Sequence, residues 1–198
     1  MSDEAMPTQP GRILVIRHGE TEWSRARRHT GRTDIPLTPD GEAAARALGE
    51  RLADWHPALV LSSPLQRARR TAELAGFSPE LDADLAEWDY GTYEGRTSSE
   101  IQDSTGDPTW SVWTTTTGLG EPLESVRARV ERVLARCRPV VGEGHDVVLV
   151  AHAHLLRVLT VAWLGLPSIA AEHLVLDAAG TGVLGDDRGT PVLLRWNG

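Results

Sequence analysis

The sequence contains no lysine, and all 20 of its basic residues are arginine. This absence excludes Schiff-base chemistry and phosphate binding by a lysine ammonium, so an anionic ligand must be bound by arginine or histidine. Genomic base composition is the simpler explanation of the bias. The formal net charge is −8 at pH 7, which disfavours nucleic acid and anionic membrane surfaces as partners. A small anion held in a locally cationic pocket fits this charge better.

Cysteine and long apolar runs are also scarce. Cys137 is the only cysteine, which excludes an intramolecular disulfide and a cysteine-based zinc cluster, and its helical spacing with Val130, Val133 and Leu134 predicts core packing. No stretch approaches the roughly 18 apolar residues of a membrane-spanning helix. Residues 1–11 lack the basic start and apolar stretch of a signal peptide, so a cytoplasmic protein is expected.

The length of 198 residues and the 40% hydrophobic content predict one domain, residues 12–198, after a flexible N-terminus at residues 1–11. Apolar runs alternate with segments of helical periodicity, which predicts a three-layer α/β fold with a mostly parallel central sheet flanked by helices. The predicted strands are residues 12–16, 58–61, 147–150, 174–176 and 192–194. Hairpin turns are predicted at Gly180, Gly182 and Gly185.

Two predicted helices carry start signals. Thr38 followed by Pro39 is typical of an N-cap and a first helical residue. The segment from Ser63 to Gln66 fits a capping box, which would begin a second helix that runs to about residue 75. Further helices are expected at about 124–138 and 154–163. The apolar side of the first helix is predicted to carry Ala44, Leu48, Leu52 and Trp55.

The residues that follow three of the predicted strands are suited to binding phosphate. Arg17 and His18 follow the first strand, and a guanidinium matches phosphate oxygens while an imidazole can attack phosphorus. Arg67 lies about one turn into the helix after the second strand, near an N-terminus that favours anions. His152 and His154 follow the third strand. Because parallel strands end at one edge of the sheet, these groups are expected to form one site.

Further motifs join these residues into a pattern that covers about residues 13–159. The pattern consists of Arg17-His18-Gly19-Glu20-Thr21 followed by Trp23, Leu37-Thr38-Pro39-Asp40-Gly41, the segment from Ser63 to Ala72, the acidic segment from Leu85 to Gly95, and His152. It resembles the histidine phosphatase superfamily, in the branch of the cofactor-dependent phosphoglycerate mutases and related acid phosphatases.

The resemblance implies a role for each of five residues. His18 would become phosphorylated, Arg17, Arg67 and His152 would bind the phosphoryl oxygens, and Glu87 would act as general acid and base. Such a ring of cations can neutralise phosphoryl charge, so no metal ion and no cofactor is expected. Attack by His18 requires its other ring nitrogen to be held as a donor, for which the Gly19 carbonyl is the predicted acceptor. The substrate-binding residues implied in addition are Ser24, Thr30, Gly31, Ala153 and His154.

Other assignments remain open at this point. Asp89 and Glu94 are alternatives to Glu87 as the proton donor. A metal site at His152 and His154 is disfavoured, because neighbours one residue apart face opposite sides of an extended strand. His29 is predicted to be a surface histidine. The irregular region of about 96–122 is predicted to be a lid, and Trp88, Trp110 and Trp113 could equally line the substrate pocket or pack in the core.

Phosphomonoester hydrolysis of a small phosphorylated substrate is the predicted reaction. Related mutases carry an inserted segment with arginines and a lysine, whereas only Arg96 lies between Gly95 and Pro122 here. The alternatives are a cofactor-dependent phosphoglycerate mutase and a non-catalytic module that binds a phosphorylated ligand. A pure binding module has no need for a proton donor at Glu87. A homodimer is compatible with the sequence.

Overall fold

A computed structural model describes residues 10–198, in which six strands alternate with helices. The strands are β1 (Ile13–Arg17), β2 (Leu59–Ser62), β3 (Glu80–Leu81), β4 (Val147–Ala151), β5 (Thr181–Asp187) and β6 (Thr190–Trp196). The helices are α1 (Glu22–Arg25), α2 (Pro39–Arg51), α3 (Gln66–Leu74), α4 (Ser98–Thr105), α5 (Leu123–Gly142) and α6 (Ala153–Trp163). Three short 3-10 helices span Ala83–Leu85, Gly91–Tyr93 and Ser168–His173.

The strands form one sheet in the order β3-β2-β4-β1-β5-β6. Strands β1 to β4 pair in parallel, whereas β5 and β6 are antiparallel additions at one edge. Arg17 at the end of β1 is level with Ala151 of β4, and Ser62 of β2 is level with Val150. The segments that follow these three strands therefore begin side by side, as the sequence predicted.

The two faces of β1 explain why its apolar run is continuous. Ile13 and Val15 belong to a core with α5 and α6, whereas Leu14 and Ile16 belong to a core with α2 and α3. A strand that is buried on both faces cannot alternate polar and apolar residues. The predicted three-layer α/β fold is confirmed.

The predicted strand at residues 174–176 is wrong. Val175 is 65% exposed, and its carbonyl accepts a hydrogen bond from the indole of Trp196 rather than from a neighbouring strand. The carbonyl of Leu176 accepts from the Arg17 guanidinium in the same way. Side-chain donors thus satisfy the backbone of this segment without a strand ladder. The short strand β3 was not predicted.

Two of the predicted hairpin glycines lie inside a strand. Gly182 and Gly185 belong to β5, while the turn to β6 contains Gly189. A Cβ on Gly182 would lie 2.6 Å from the Trp196 ring. A Cβ on Gly185 would lie 2.5 Å from Leu194. These glycines therefore make room for β6 side chains, which is a packing role and not a turn role.

Helix α2 begins as predicted, but its buried face is shifted. The Thr38 hydroxyl accepts a hydrogen bond from the Gly41 N–H at 3.0 Å, and Pro39 is the first helical residue. Ala44 is exposed, and Ala45 is buried in its place. The buried residues of this helix and its C-cap are Gly41, Ala45, Leu48 and Leu52.

Helix α3 begins two residues later than predicted, since the capping box at Ser63 would make Pro64 the first helical residue. Its first residue is Gln66, whose N–H donates to Asp34 Oδ1 at 2.8 Å, while the Gln66 side chain donates to the Asp34 carbonyl at 2.7 Å. The cap therefore comes from a loop 32 residues earlier in the chain. The Ser63 hydroxyl accepts from the Leu65 N–H at 3.3 Å and lies 2.8 Å from His152 Nε2.

We expect Asp34→Ala to lower the free energy of unfolding by about 1 kcal/mol, because one N-terminal donor of α3 loses its acceptor. Urea denaturation of the variant measures this loss. Asp54→Ala, which removes another exposed aspartate, is the matched control and should leave the stability within ~0.5 kcal/mol. Equal stability of the two variants would contradict the assignment of Asp34 as a cap.

The predicted terminal and lid segments differ in how much of them the structure describes. Residues 1–9 of the predicted flexible N-terminus lie outside the described residues, whereas Gly11 is buried and its N–H donates to the Val141 carbonyl at 2.8 Å. In the region 96–122, helix α4 is present, and Ile101 and Trp110 pack in the main core. No helix among residues 10–198 combines the length and the apolar character that crossing a membrane requires.

Candidate active site

A cavity of about 400 Å³ lies where β1 and β4 end. Its lining includes seven of the predicted site residues, which are Arg17, His18, Ser24, Thr30, Glu87, Ala153 and His154. Arg67, His152 and Gly31 are close by but do not line the cavity. The sequence analysis missed several lining residues, among them Tyr90, Arg25, Arg27 and Arg28.

His18 is held in the state that a nucleophile requires. Its Nδ1 lies 2.7 Å from the Gly19 carbonyl, which can only accept, so Nδ1 carries the proton and Nε2 carries a free electron pair. Burial lowers the pKa of His18 well below its usual value, and the charges of Arg17 and Arg67 lower it further. The imidazole is therefore neutral at physiological pH, and its Nε2 is available to attack phosphorus.

Glycine at position 19 allows the chain to turn directly after His18. A Cβ there would lie 2.5 Å from the Gly41 carbonyl at the start of α2, which is closer than real atoms approach. The Gly19 N–H donates to the Thr71 hydroxyl at 3.0 Å. Helices α2 and α3 thus fix the loop that carries His18.

Arg17 presents a guanidinium with an unused donor to the cavity. Its Nη1 donates to the Leu176 carbonyl at 2.6 Å. Its Nε is buried and has no hydrogen-bond partner among residues 10–198. Its Nη2 also has no hydrogen-bond partner among these residues and is not buried, so Nη2 is suited to an anion that is bound in the cavity.

Arg67 and His152 lie behind His18 and are fully buried. Arg67 donates to the carbonyls of Thr30, Gly31 and Thr33 at 2.9–3.1 Å. Its Nε donates to His152 Nδ1 at 3.3 Å. Most donors of Arg67 are therefore engaged within the protein. Its positive charge still lowers the pKa of His18.

His152 has both ring nitrogens occupied. Because Nδ1 accepts from Arg67, Nε2 carries the proton and donates to the Ser63 hydroxyl at 2.8 Å. Its ring centroid is 5.1 Å from that of His18, and burial together with the charge of Arg67 lowers its pKa well below the usual value. In this arrangement His152 orients Arg67 and packs against the nucleophile, and direct contact of either residue with phosphoryl oxygens stays a prediction.

Gly31 lies beside Arg67 and is not among the residues that line the cavity. Its N–H donates to the Glu94 carboxylate at 3.0 Å, and its carbonyl accepts from Arg67 at 2.9 Å. Both polar groups are therefore engaged within the protein. Gly31 holds Arg67 in place, and a contact between Gly31 and the substrate stays a prediction.

Glu87 is one of three residues with a carboxyl group that line the cavity, and it is nearly fully buried. It accepts hydrogen bonds from the N–H groups of Trp88, His154 and Leu155 at 2.9–3.2 Å, at the N-terminus of α6. Burial raises the pKa of Glu87, and this effect outweighs the three backbone hydrogen bonds that lower it. The carboxyl group thus retains its proton at a higher pH than an exposed glutamate, as a general acid requires.

The two alternative proton donors lie elsewhere. Asp89 forms an ion pair with Arg32 at 2.6 Å. Glu94 accepts hydrogen bonds from the backbone of Gly31 and Thr33. Neither carboxylate lines the cavity. Among the three candidates, the geometry therefore favours Glu87.

Tyr90, His29 and His154 form one wall of the cavity. Burial raises the pKa of Tyr90 well above its usual value, so its hydroxyl is protonated and donates to His154 Nδ1 at 2.5 Å. Because Nδ1 of His154 accepts this hydrogen bond, the single ring proton of neutral His154 lies on Nε2. His29 was predicted to be a surface histidine, but its ring lies 4.9 Å from that of Tyr90 and it lines the cavity.

The tryptophans support this wall without entering the cavity. Trp110 packs 5.5 Å from the His29 ring, and Trp113 packs 5.0 Å from the His154 ring, measured between centroids. Trp88 is fully buried and packs against Trp113. Across the described part of the chain, no group of three or more His, Cys, Asp or Glu side chains is arranged to hold a metal ion.

Comparison with known proteins gives consistent matches over nearly the whole chain. Residues 13–198 match the model of the histidine phosphatase superfamily (branch 1). An acid phosphatase of Mycobacterium tuberculosis is 36% identical over 181 residues, which cover 90% of this chain and 88% of that protein. The sedoheptulose 1,7-bisphosphatase of Saccharomyces cerevisiae is 33% identical, with coverage of 81% and 70%. The solved structure of open reading frame Rv3214 from Mycobacterium tuberculosis aligns with a TM-score of 0.88 at 35% identity, covering 94% and 97% of the two chains.

Proposed function

The chain belongs to the histidine phosphatase superfamily (branch 1), and from this premise we propose that it hydrolyses small phosphomonoesters through a phosphohistidine on His18. One observation carries the assignment of residues. The neutral His18, the guanidinium of Arg17 and the carboxyl group of Glu87, with its raised pKa, meet in one cavity. A nucleophile, an anion ligand and a proton donor are the three groups that transfer to histidine requires.

The first chemical step transfers the phosphoryl group to the enzyme. The electron pair on Nε2 of His18 forms a bond to phosphorus as the bond from phosphorus to the alcohol oxygen breaks. Glu87 gives its proton to the departing oxygen, so an alcohol leaves. Arg17 binds the phosphoryl oxygens in this proposal, and the charge of Arg67 adds to the positive potential at the site.

The second step returns the enzyme to its starting state. Glu87, now a carboxylate, takes a proton from water while the water oxygen bonds to phosphorus and the phosphorus–nitrogen bond breaks. Inorganic phosphate leaves, His18 recovers its electron pair, and Glu87 is protonated again. One carboxyl group therefore acts as acid and then as base.

We expect acid-labile label on the protein when it is mixed with a ³²P-labelled alkyl phosphate and quenched in alkali, because a phosphoramidate survives base and hydrolyses in acid. Peptide mapping should place the label on His18. Label that is stable in acid, or that maps to another residue, would contradict the mechanism.

The same preparation separates the alternatives to hydrolysis. Interconversion of 2- and 3-phosphoglycerate that depends on added 2,3-bisphosphoglycerate would indicate a mutase. Binding of phosphomonoesters without any release of phosphate would indicate a non-catalytic module. A cytoplasmic location and a homodimeric assembly stay predictions of the sequence.

A further inference from the structure

The exposed side of the cavity contains an arginine whose charge is not compensated. Arg25 donates to Glu22 at 2.6 Å, and Arg28 pairs with Glu100 at 3.2 Å. Arg27 lines the same cavity and is exposed, yet within the described part of the chain it forms no ion pair and its side chain makes no hydrogen bond. Its five donors therefore remain available to a ligand.

The backbone at Arg27 makes the presence of a large side chain notable. Its φ is +55°, in the left-handed region that disfavours residues with a Cβ, and it lies in the turn directly after α1. Glycine would adopt this conformation without strain. Arg188, Ala179 and Asn197 share this conformation, so what distinguishes Arg27 among them is a cation that lines the cavity.

The cavity is large enough for a second anionic group, and its lining contains positive charge that could bind one. A cavity of about 400 Å³ falls in the range that holds whole metabolites, which is more than a phosphate group requires. Three carboxyl groups also line it, but Glu20 lies 3.8 Å from Arg25, Asp177 accepts from the Asn197 amide, and burial favours the protonated form of Glu87. The amide does not neutralise Asp177, but of Arg25, Arg27 and Arg28, Arg27 is the one without an ion pair within the described residues.

We propose that Arg27 forms a second anion-binding site, so that the preferred substrates carry a carboxylate or a second phosphate at the end remote from the scissile phosphomonoester. This inference rests on the proposed phosphatase function, because it assumes that the first phosphate lies at His18. A guanidinium binds either anion through two parallel hydrogen bonds. The contact is remote from phosphorus, so its main effect is on substrate binding.

A pair of substrates that differ by one charge tests the proposal. 6-Phosphogluconate and glucitol 6-phosphate are open six-carbon chains with the same phosphate ester, and they differ at C1, which is a carboxylate in one and a hydroxymethyl group in the other. We expect the wild type to prefer 6-phosphogluconate by about tenfold in kcat/KM, mostly through a lower KM. In Arg27→Gly this ratio should fall to about 1. A tenfold loss corresponds to about 1.4 kcal/mol of binding free energy.

Arg188→Gly is the matched control. Arg188 has the same φ of +55° and is exposed, but it lies in the turn between β5 and β6, outside the cavity. Both variants should unfold at or above the wild-type temperature, because glycine relieves the strain in each turn. The control should keep the wild-type preference for 6-phosphogluconate.

The possible failures of the two proposals are distinguishable. Equal kcat/KM values for the two substrates in the wild type, or an unchanged preference in Arg27→Gly, would overturn the second anion site and leave the phosphatase function intact. Absence of phosphate release from both substrates and from p-nitrophenyl phosphate would overturn the phosphatase function, and the anion site with it.

Discussion

Replacing His18 with alanine is expected to reduce kcat for every phosphomonoester by on the order of 10⁴-fold or more, because the neutral imidazole whose Nε2 attacks phosphorus is removed. The neighbouring His152 cannot substitute, since Arg67 and Ser63 occupy both of its ring nitrogens. His154 cannot substitute either, since its Nδ1 accepts from Tyr90 and its Nε2 carries a proton. Steady-state assays with p-nitrophenyl phosphate measure the loss.

The control for this prediction is His145→Ala. His145 is exposed and precedes β4, at the edge of the sheet opposite the cavity, so this variant should keep the wild-type rate. Thermal unfolding should show that His18→Ala remains folded. A folded His18→Ala variant that kept a rate within tenfold of the wild type would show that phosphoryl transfer does not pass through this imidazole.

The position of the site could be predicted from sequence because it depends on a rule of topology. Parallel strands with apolar residues on both faces end at a common edge, so Arg17 and His152, which are far apart in the chain, were expected to be neighbours. The residue types at those strand ends then restricted the chemistry. The acceptor for His18 Nδ1 could also be predicted, because Gly19 is its neighbour in sequence.

The features that sequence reasoning missed depend on contacts between distant segments. The cap of α3 comes from Asp34, and the state of His154 is fixed by Tyr90, at separations of 32 and 64 residues. No local pattern signals either contact. The predicted strand at 174–176 failed for a related reason, because Arg17 and Trp196 bind the carbonyls that a strand would have used.

The sequence also did not predict which of the gathered residues line the cavity and which are buried beside it. Arg67 donates to the carbonyls of Thr30, Gly31 and Thr33 and does not line the cavity, and its contact with a phosphoryl group stays a prediction. His29 was expected at the surface, but aromatic packing against Tyr90 and Trp110 brings it to the cavity wall. Residue identity predicted which groups gather, whereas packing decides which of them a ligand can reach.

Glu87→Gln is expected to separate the two chemical steps. With an alkyl phosphate, loss of the proton donor should reduce kcat by about 10²–10⁴-fold, because an alkoxide cannot leave unprotonated. With p-nitrophenyl phosphate the leaving group needs no proton, so transfer to His18 should remain fast. Hydrolysis of the phosphohistidine should then be slow, since glutamine cannot take a proton from water. A rapid burst of about one p-nitrophenol per enzyme, followed by slow turnover, is the expected stopped-flow result.

The requirement for a protonated Glu87 also determines how the rate of the wild type changes with pH. Burial raises the pKa of Glu87 and lowers that of His18, and both shifts favour the state in which Glu87 is protonated and His18 is neutral. For alkyl phosphates the rate should fall as the pH rises through the pKa of Glu87, and Glu87→Gln should lack this alkaline decline. Asp89→Asn is the matched control, and it should keep both the rate and the profile because Asp89 pairs with Arg32 outside the cavity. Loss of the decline in Asp89→Asn, with the profile of Glu87→Gln unchanged, would assign the proton to Asp89 instead.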